Sequence, residues 1–145
     1  MRPIDGLLKN RAFVGYETPD FPFTAVFGAE KKHPFVKDLL DYYDGLEMDY
    51  KFEDNNTNST SKLLVEKYHC KLGNKEQELK DGLHVYPDGV LCSPSPESLT
   101  IHAFTKTWRS DVGIKDWLLG QWRTRLTNKF MVRMYWWYRK LKGAR

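Results

Sequence analysis

Cysteine is scarce in this chain: two residues, Cys70 and Cys92, with no Cys-x-x-Cys pair. That excludes a disulfide framework and fits a reducing compartment. No run of apolar residues is long enough to span a bilayer. The N-terminus, Met1-Arg2-Pro3-Ile4-Asp5, carries no signal-peptide pattern and leads into structured-looking sequence. The expectation is a cytoplasmic protein, at most peripheral on the inner face of the membrane. Acid is scarce at one end. Residues 111–145 hold nine Lys and Arg against two Asp, a net of +7, whereas residues 1–110 carry a net of −3. The pI near 9.0 is therefore a property of the tail. Apolar residues make up 41% and aromatics 14% of the 145, which excludes a disordered chain and suffices for one domain with a real core.

In order along the chain, Pro3 to Asn10 reads as a short helical turn and Ala12 to Tyr16 as a buried strand closed by Glu17-Thr18-Pro19-Asp20. Thr24 to Ala29 reads as a strand ending in small residues, where a backbone can approach a ligand or pack tightly. His33-Pro34 opens a helix in which Val36, Leu39, Leu40 and Tyr43 recur at helical spacing, and Gly45 ends it. The polar loop from Asp54 to Ser61 precedes a helix over Lys62–Tyr68, with Asn58 or Thr60 as its cap. Leu83-His84-Val85 and Val90-Leu91-Cys92 read as short strands around the turn Tyr86-Pro87-Asp88-Gly89. Leu99 to Phe104 alternates as a strand, followed by a polar turn that delivers Trp108. Short strands alternating with two or three helices imply an α/β fold with a mixed sheet.

Several of these segments, in this order, resemble the glycosyltransferase family 32 enzymes, the DXD-type sugar transferases of bacterial capsule and surface-polysaccharide synthesis. Arg2-Pro3-Ile4-Asp5-Gly6-Leu7-Leu8 and Ala12-Phe13-Val14-Gly15-Tyr16-Glu17 match two family patterns. Ala25 through Pro34 matches a third, with Phe23 at a position where the family has Asn and Lys32 replacing a Gly. Gly82 to Pro87 matches a scaffold element. Thr100, Ile101, His102, Phe104, Thr107 and Trp108 match the C-terminal signature, in which Ala103 replaces a second His and Lys106 a small residue. The family's metal-binding Asp-x-Asp does not occur in this chain. The resemblance covers residues 2–110 and implies the C-terminal half of a GT-A-like nucleotide-diphospho-sugar transferase, truncated or split from an N-terminal half. The missing Asp-x-Asp, Ala103 and Phe23 argue against activity of this chain by itself.

What the resemblance implies can be placed residue by residue. His102, Lys106, Thr107 and Trp108 would meet the donor diphosphate, with His102 next to the metal or ligating it. Thr24, Gly28, Ala29, Thr57 and Asn58 would line the sugar side, the last two at a helix start suited to phosphate or hydroxyl groups. The alternatives for these residues are tight strand–helix packing at Gly28 and Ala29, and helix capping at Asn58. For His33 the reading is capping or packing. The implied cofactor is Mn²⁺ or Mg²⁺. The implied partners are a nucleotide-sugar donor, a UDP-sugar first, and a polysaccharide or lipid-linked acceptor.

Residues 111–145 lie outside the resemblance and read as a basic, aromatic, amphipathic helical tail beside a domain of residues 1–110. Leu126, Phe130, Met134, Trp137 and Leu141 share one helical face. Arg125, Lys129, Arg133, Trp137 and Lys140 would meet an anionic membrane surface. The same face could instead dock on the body. The competing functional reading is a non-enzymatic membrane- or nucleic-acid-binding module built on this tail; it leaves the motifs of residues 2–110 unexplained, so nucleic acid is not the expected partner.

Overall fold

The computed structural model describes residues 3–23, 26–45, 55–104, 113–126 and 129–141. Within them lies a mixed four-stranded sheet in the order β2-β1-β4-β3, with helices on both faces. Strand β1 (Ala12–Gly15) pairs in parallel with β4 (Leu83–Tyr86), from Ala12 opposite Leu83 to Gly15 opposite Tyr86. The edges are the two-residue β2 (Gly28–Ala29) and three-residue β3 (Gln77–Leu79), both antiparallel to their neighbours. The α/β reading with a mixed sheet therefore holds.

Period-two alternation explains why every residue of β1 is buried. Ala12, Val14 and Tyr16 turn to one face, where Phe35, Leu64, Tyr68, Leu83 and Val85 complete the main core. Phe13 turns to the other, against Leu7 and Leu91. Helix α1 (Pro34–Asp44) supplies Phe35, and helix α2 (Asn56–Tyr68) supplies Leu64 and Tyr68. Each such side chain, fully removed from water, contributes about 1.5 to 3 kcal/mol. Phe35 meets Tyr68 edge-on at 5.7 Å, and the Tyr68 hydroxyl donates to Asp38 at 2.6 Å. Burial works to raise the Asp38 carboxyl, but Lys67 and Tyr68 more than offset it, and the net shift is downward.

Helix ends follow local chemistry. His33 caps α1: its Nδ1 accepts from the Phe35 amide at 3.2 Å while Nε2 reaches the Asp81 carbonyl at 3.0 Å. The capping reading of His33 stands. Helix α2 is longer than expected and neither Asn58 nor Thr60 caps it. Asn55 does, its Oδ1 accepting from the Asn58 amide at 2.9 Å. Left-handed His69 (φ 56) closes the other end as the Cys70 amide bonds the Leu64 carbonyl.

Three further expectations are corrected. Val90-Leu91-Cys92 is no strand: Asp88–Leu91 forms a short helical turn, α3, because the Cys92 amide bonds back to the Asp88 carbonyl at 2.8 Å. Leu99 to Phe104 is irregular, since its donors reach the carbonyls of Val90, Leu91 and Cys92 instead of a neighbouring strand. The tail is two helices, α4 (Ile114–Thr124) and α5 (Lys129–Leu141), not one. The expected strand over Thr24–Ala29 is described only as β2; Thr24 and Ala25 lie outside the described residues.

Removing the α2 cap with Asn55→Ala is expected to cost about 1 kcal/mol in urea denaturation, and Asn55→Asp to retain the stability. Equal midpoints for Asn55→Ala and the parent would contradict the assignment of the cap.

Candidate functional site

The parallel pair β1–β4 ends with both chains leaving the sheet on the same side, and polar groups collect there. The Tyr16 amide still bonds the Tyr86 carbonyl at 2.9 Å. Glu17 follows immediately on one strand and Pro87-Asp88 on the other. In open α/β sheets the space beyond the carboxyl ends of parallel strands is where ligands bind.

Glu17 is met from two directions. Thr57, in the first turn of α2, directs its hydroxyl at Oε2 from 3.5 Å. His102 places Nδ1 3.8 Å from the same oxygen. That separation is too long for a hydrogen bond, and this buried Nδ1 has no hydrogen-bond partner among the described residues. His102 is fixed through its backbone, whose amide donates to the Cys92 carbonyl at 2.9 Å. Its ring stacks on Phe104 at 3.9 Å between centres. The Arg123 guanidinium covers Phe104 at 4.7 Å and bonds the Tyr135 hydroxyl at 2.9 and 3.1 Å. Phe104 carries φ 52, a conformation unusual for a bulky side chain, at a cost of roughly 1 to 3 kcal/mol.

The electrostatics favour the neutral forms of both titratable groups. Burial pushes the Glu17 carboxyl above its ordinary value, and Thr57 and Arg123 draw it back only in part. Burial, then the Arg123 charge, holds His102 below the usual imidazole value. Next to them, Glu17, Pro19, Asn74, Asp88, Trp136 and Arg139 line a cleft of about 210 Å³, smaller than the ~300 Å³ at the low end of ligand pockets.

Of the residues expected at a site, the structure brings Thr57 and His102 together through Glu17. Asn58 gives its amide to the α2 cap. Gly28 and Ala29 sit in edge strand β2, on the far side of β1 from β4. A Cβ at Gly28 would stand 2.5 Å from Phe13 Cε1, so the close packing of that ring accounts for the glycine. Thr24, Lys106, Thr107 and Trp108 lie outside the described residues. Arg125, Lys129, Arg133, Trp137 and Lys140 are exposed on or beside α4 and α5. Glu17 and Arg123 were not singled out as site residues. Glu17 was visible as the acid ending the strand motif; Arg123 carries no local signal. No three His, Cys, Asp or Glu side chains among the described residues come together as a cation site. The Glu17–His102 pair alone, facing Arg123, does not fit a divalent cation.

No family model, curated protein or solved structure matches the chain.

The His102 shift has a pH consequence with a definite sign. Its folded pKa lies below the unfolded value near 6.5, so the neutral imidazole supports the fold above that pH and the support is lost as pH falls through the folded value. In an NMR titration His102 is expected below 6.5 and to move upward in Arg123→Gln, which removes one of its two causes. An unshifted His102, or one unmoved by the substitution, would contradict the arrangement.

Proposed function

We propose that this chain contributes to a glycosyltransferase site that moves a sugar from a nucleotide-sugar to a hydroxyl of a polysaccharide or lipid-linked acceptor. The observation that carries the proposal is the meeting of Glu17, Thr57, His102 and Arg123 beyond the carboxyl ends of β1 and β4. The order of motifs resembling family 32 supports the same reading, and a GT-A-like architecture is part of it.

In this proposal Arg123 and the first turn of α2 face the donor diphosphate. A fixed cation and helix amides are the groups that stabilise a phosphate leaving group. The acceptor oxygen bonds to the anomeric carbon as the bond from that carbon to the diphosphate oxygen breaks. The diphosphate leaves with the electron pair, and the acceptor proton passes to the neutral imidazole of His102 beside Glu17. Long contacts such as the 3.8 Å separation commonly tighten when substrate arrives. Mn²⁺ or Mg²⁺ belongs to the proposal as a companion of the diphosphate; no step is assigned to it, because the described residues do not build its site.

Calorimetric titration with UDP, and separately GDP, with and without Mn²⁺, tests the proposal. Saturable binding that weakens in Arg123→Gln is expected. Where transfer is measurable, His102→Ala should lower it about 10²- to 10⁴-fold with donor binding largely kept. Absence of binding to either nucleotide by the folded chain would overturn the reading.

A further inference from the structure

Helix α5 sits on the body by its polar side. Tyr135 is buried and its hydroxyl accepts from Arg123 of α4. One turn on, Arg139 reaches Asp88 of α3 at 3.7 Å. Trp122 of α4 packs edge-on to Tyr135 at 5.1 Å, which joins the two helices. The apolar stripe faces the other way. Phe130, Met134, Trp137 and Leu141 recur at i, i+4, i+7 and i+11 and are 70, 54, 60 and 81% exposed. On α4, Ile114 and Trp117 are 80 and 54% exposed. Of the stripe expected from the sequence, only Leu126 turns inward. Exposed large apolar residues elsewhere, such as Leu8, Leu40 and Leu72, stand far apart along the chain and need no special account. A repeating exposed stripe on α5, with further exposed apolar residues on α4, is a surface built to be covered.

Charge selects the occupant. From Ile114 to Arg145 the sequence has one acid, Asp116, against nine Lys and Arg. Arg125, Lys129 and Arg133 are exposed close to the stripe in sequence. Lys140 lies over the Trp136 ring at 4.0 Å. A second copy of this face would bring like charges together, with a single acid against nine cations in each copy. Nucleic acid would satisfy the cations but leave Phe130, Met134 and Leu141 in water. An anionic lipid surface satisfies both, with aliphatic side chains among acyl chains, tryptophans at the headgroup level and cations against phosphates. We infer that helices α4 and α5 dock this protein onto an anionic bilayer, lying in the interface. This is consistent with the helices themselves: none among the described residues is long and apolar enough to cross a membrane. The inference stands independently of the glycosyltransferase reading.

The test is co-sedimentation of the full chain with vesicles of phosphatidylcholine alone and of phosphatidylcholine mixed equally with phosphatidylglycerol, alongside a single-stranded oligonucleotide. Binding to the anionic vesicles, absent from the neutral ones and weakened by salt, is expected. Arg125→Gln and Arg133→Gln should each weaken it roughly fivefold. Phe130→Glu with Trp137→Glu should abolish it; both side chains are exposed, and an unchanged circular dichroism spectrum confirms that the fold survives. The inference is overturned by failure to bind anionic vesicles, by binding indifferent to the Phe130 and Trp137 changes, or by tighter binding to the oligonucleotide. A dimer in sedimentation that dissociates on Trp137→Glu would overturn it in favour of self-association.

Discussion

Parallel pairing of β1 with β4 is the constraint on which the rest of this structure depends. The strands lie about seventy residues apart in sequence, and their four backbone pairs bring residues 12–15 against residues 83–86. The intervening chain has to travel over the sheet and return, and it does so as α1 and α2, whose Phe35, Leu64 and Tyr68 fill the face that Ala12, Val14 and Tyr16 present. Loop-closure entropy opposes such a long connection, and the doubly buried β1 offsets it by committing apolar side chains to two clusters at once. The same pairing aligns the carboxyl ends of two strands. Glu17 and Asp88 emerge there together, and the candidate site is a consequence of the topology.

Arg123 couples this site to the helical tail. One guanidinium lies over Phe104, beside His102, and donates to the Tyr135 hydroxyl. In the lining of the cleft, Arg139 approaches Asp88. The tail meets the body through cations that face acids, rings and carbonyls, while the stripe of Phe130, Met134, Trp137 and Leu141 turns outward. For a terminal helix the usual arrangement is the reverse, with the apolar stripe on the core. In the two proposals made for this chain, the positive charge serves twice: inward, at the site where a diphosphate would be bound, and outward, at the surface where lipid phosphates would lie.

How far the sequence foretold this differs by element. Strand β1, helix α1 and strand β4 were legible because each carries a strong pattern: continuous apolar burial, helical spacing after His33-Pro34, and alternation at Leu83 and Val85. Strand β3 was missed. Its Gln-Glu-Leu has no apolar alternation, and its pairing with β4 is a tertiary event. Val90-Leu91-Cys92 and Leu99 to Phe104 misled for the opposite reason, since apolar runs and alternation occur wherever chain packs against a core. There the destination of the backbone hydrogen bonds decided the outcome. At the site, His102 and Thr57 were reachable by motif, and Glu17 lay within a motif without a role attached. Arg123 was beyond reach, because only the fold brings residue 123 to residue 102.

Burial at the carboxyl edge of β1 and β4 raises the proton affinity of Glu17 beside His102. The most direct measurement is a carbon-detected NMR titration of the Glu17 side-chain carboxyl in the folded chain. A pKa above the ordinary 4.5 is expected, rising further in Thr57→Val, which removes the hydroxyl that steadies the charged form. A carboxyl that titrates at or below 4.5 would show a solvated, ionised glutamate and would contradict the site as described.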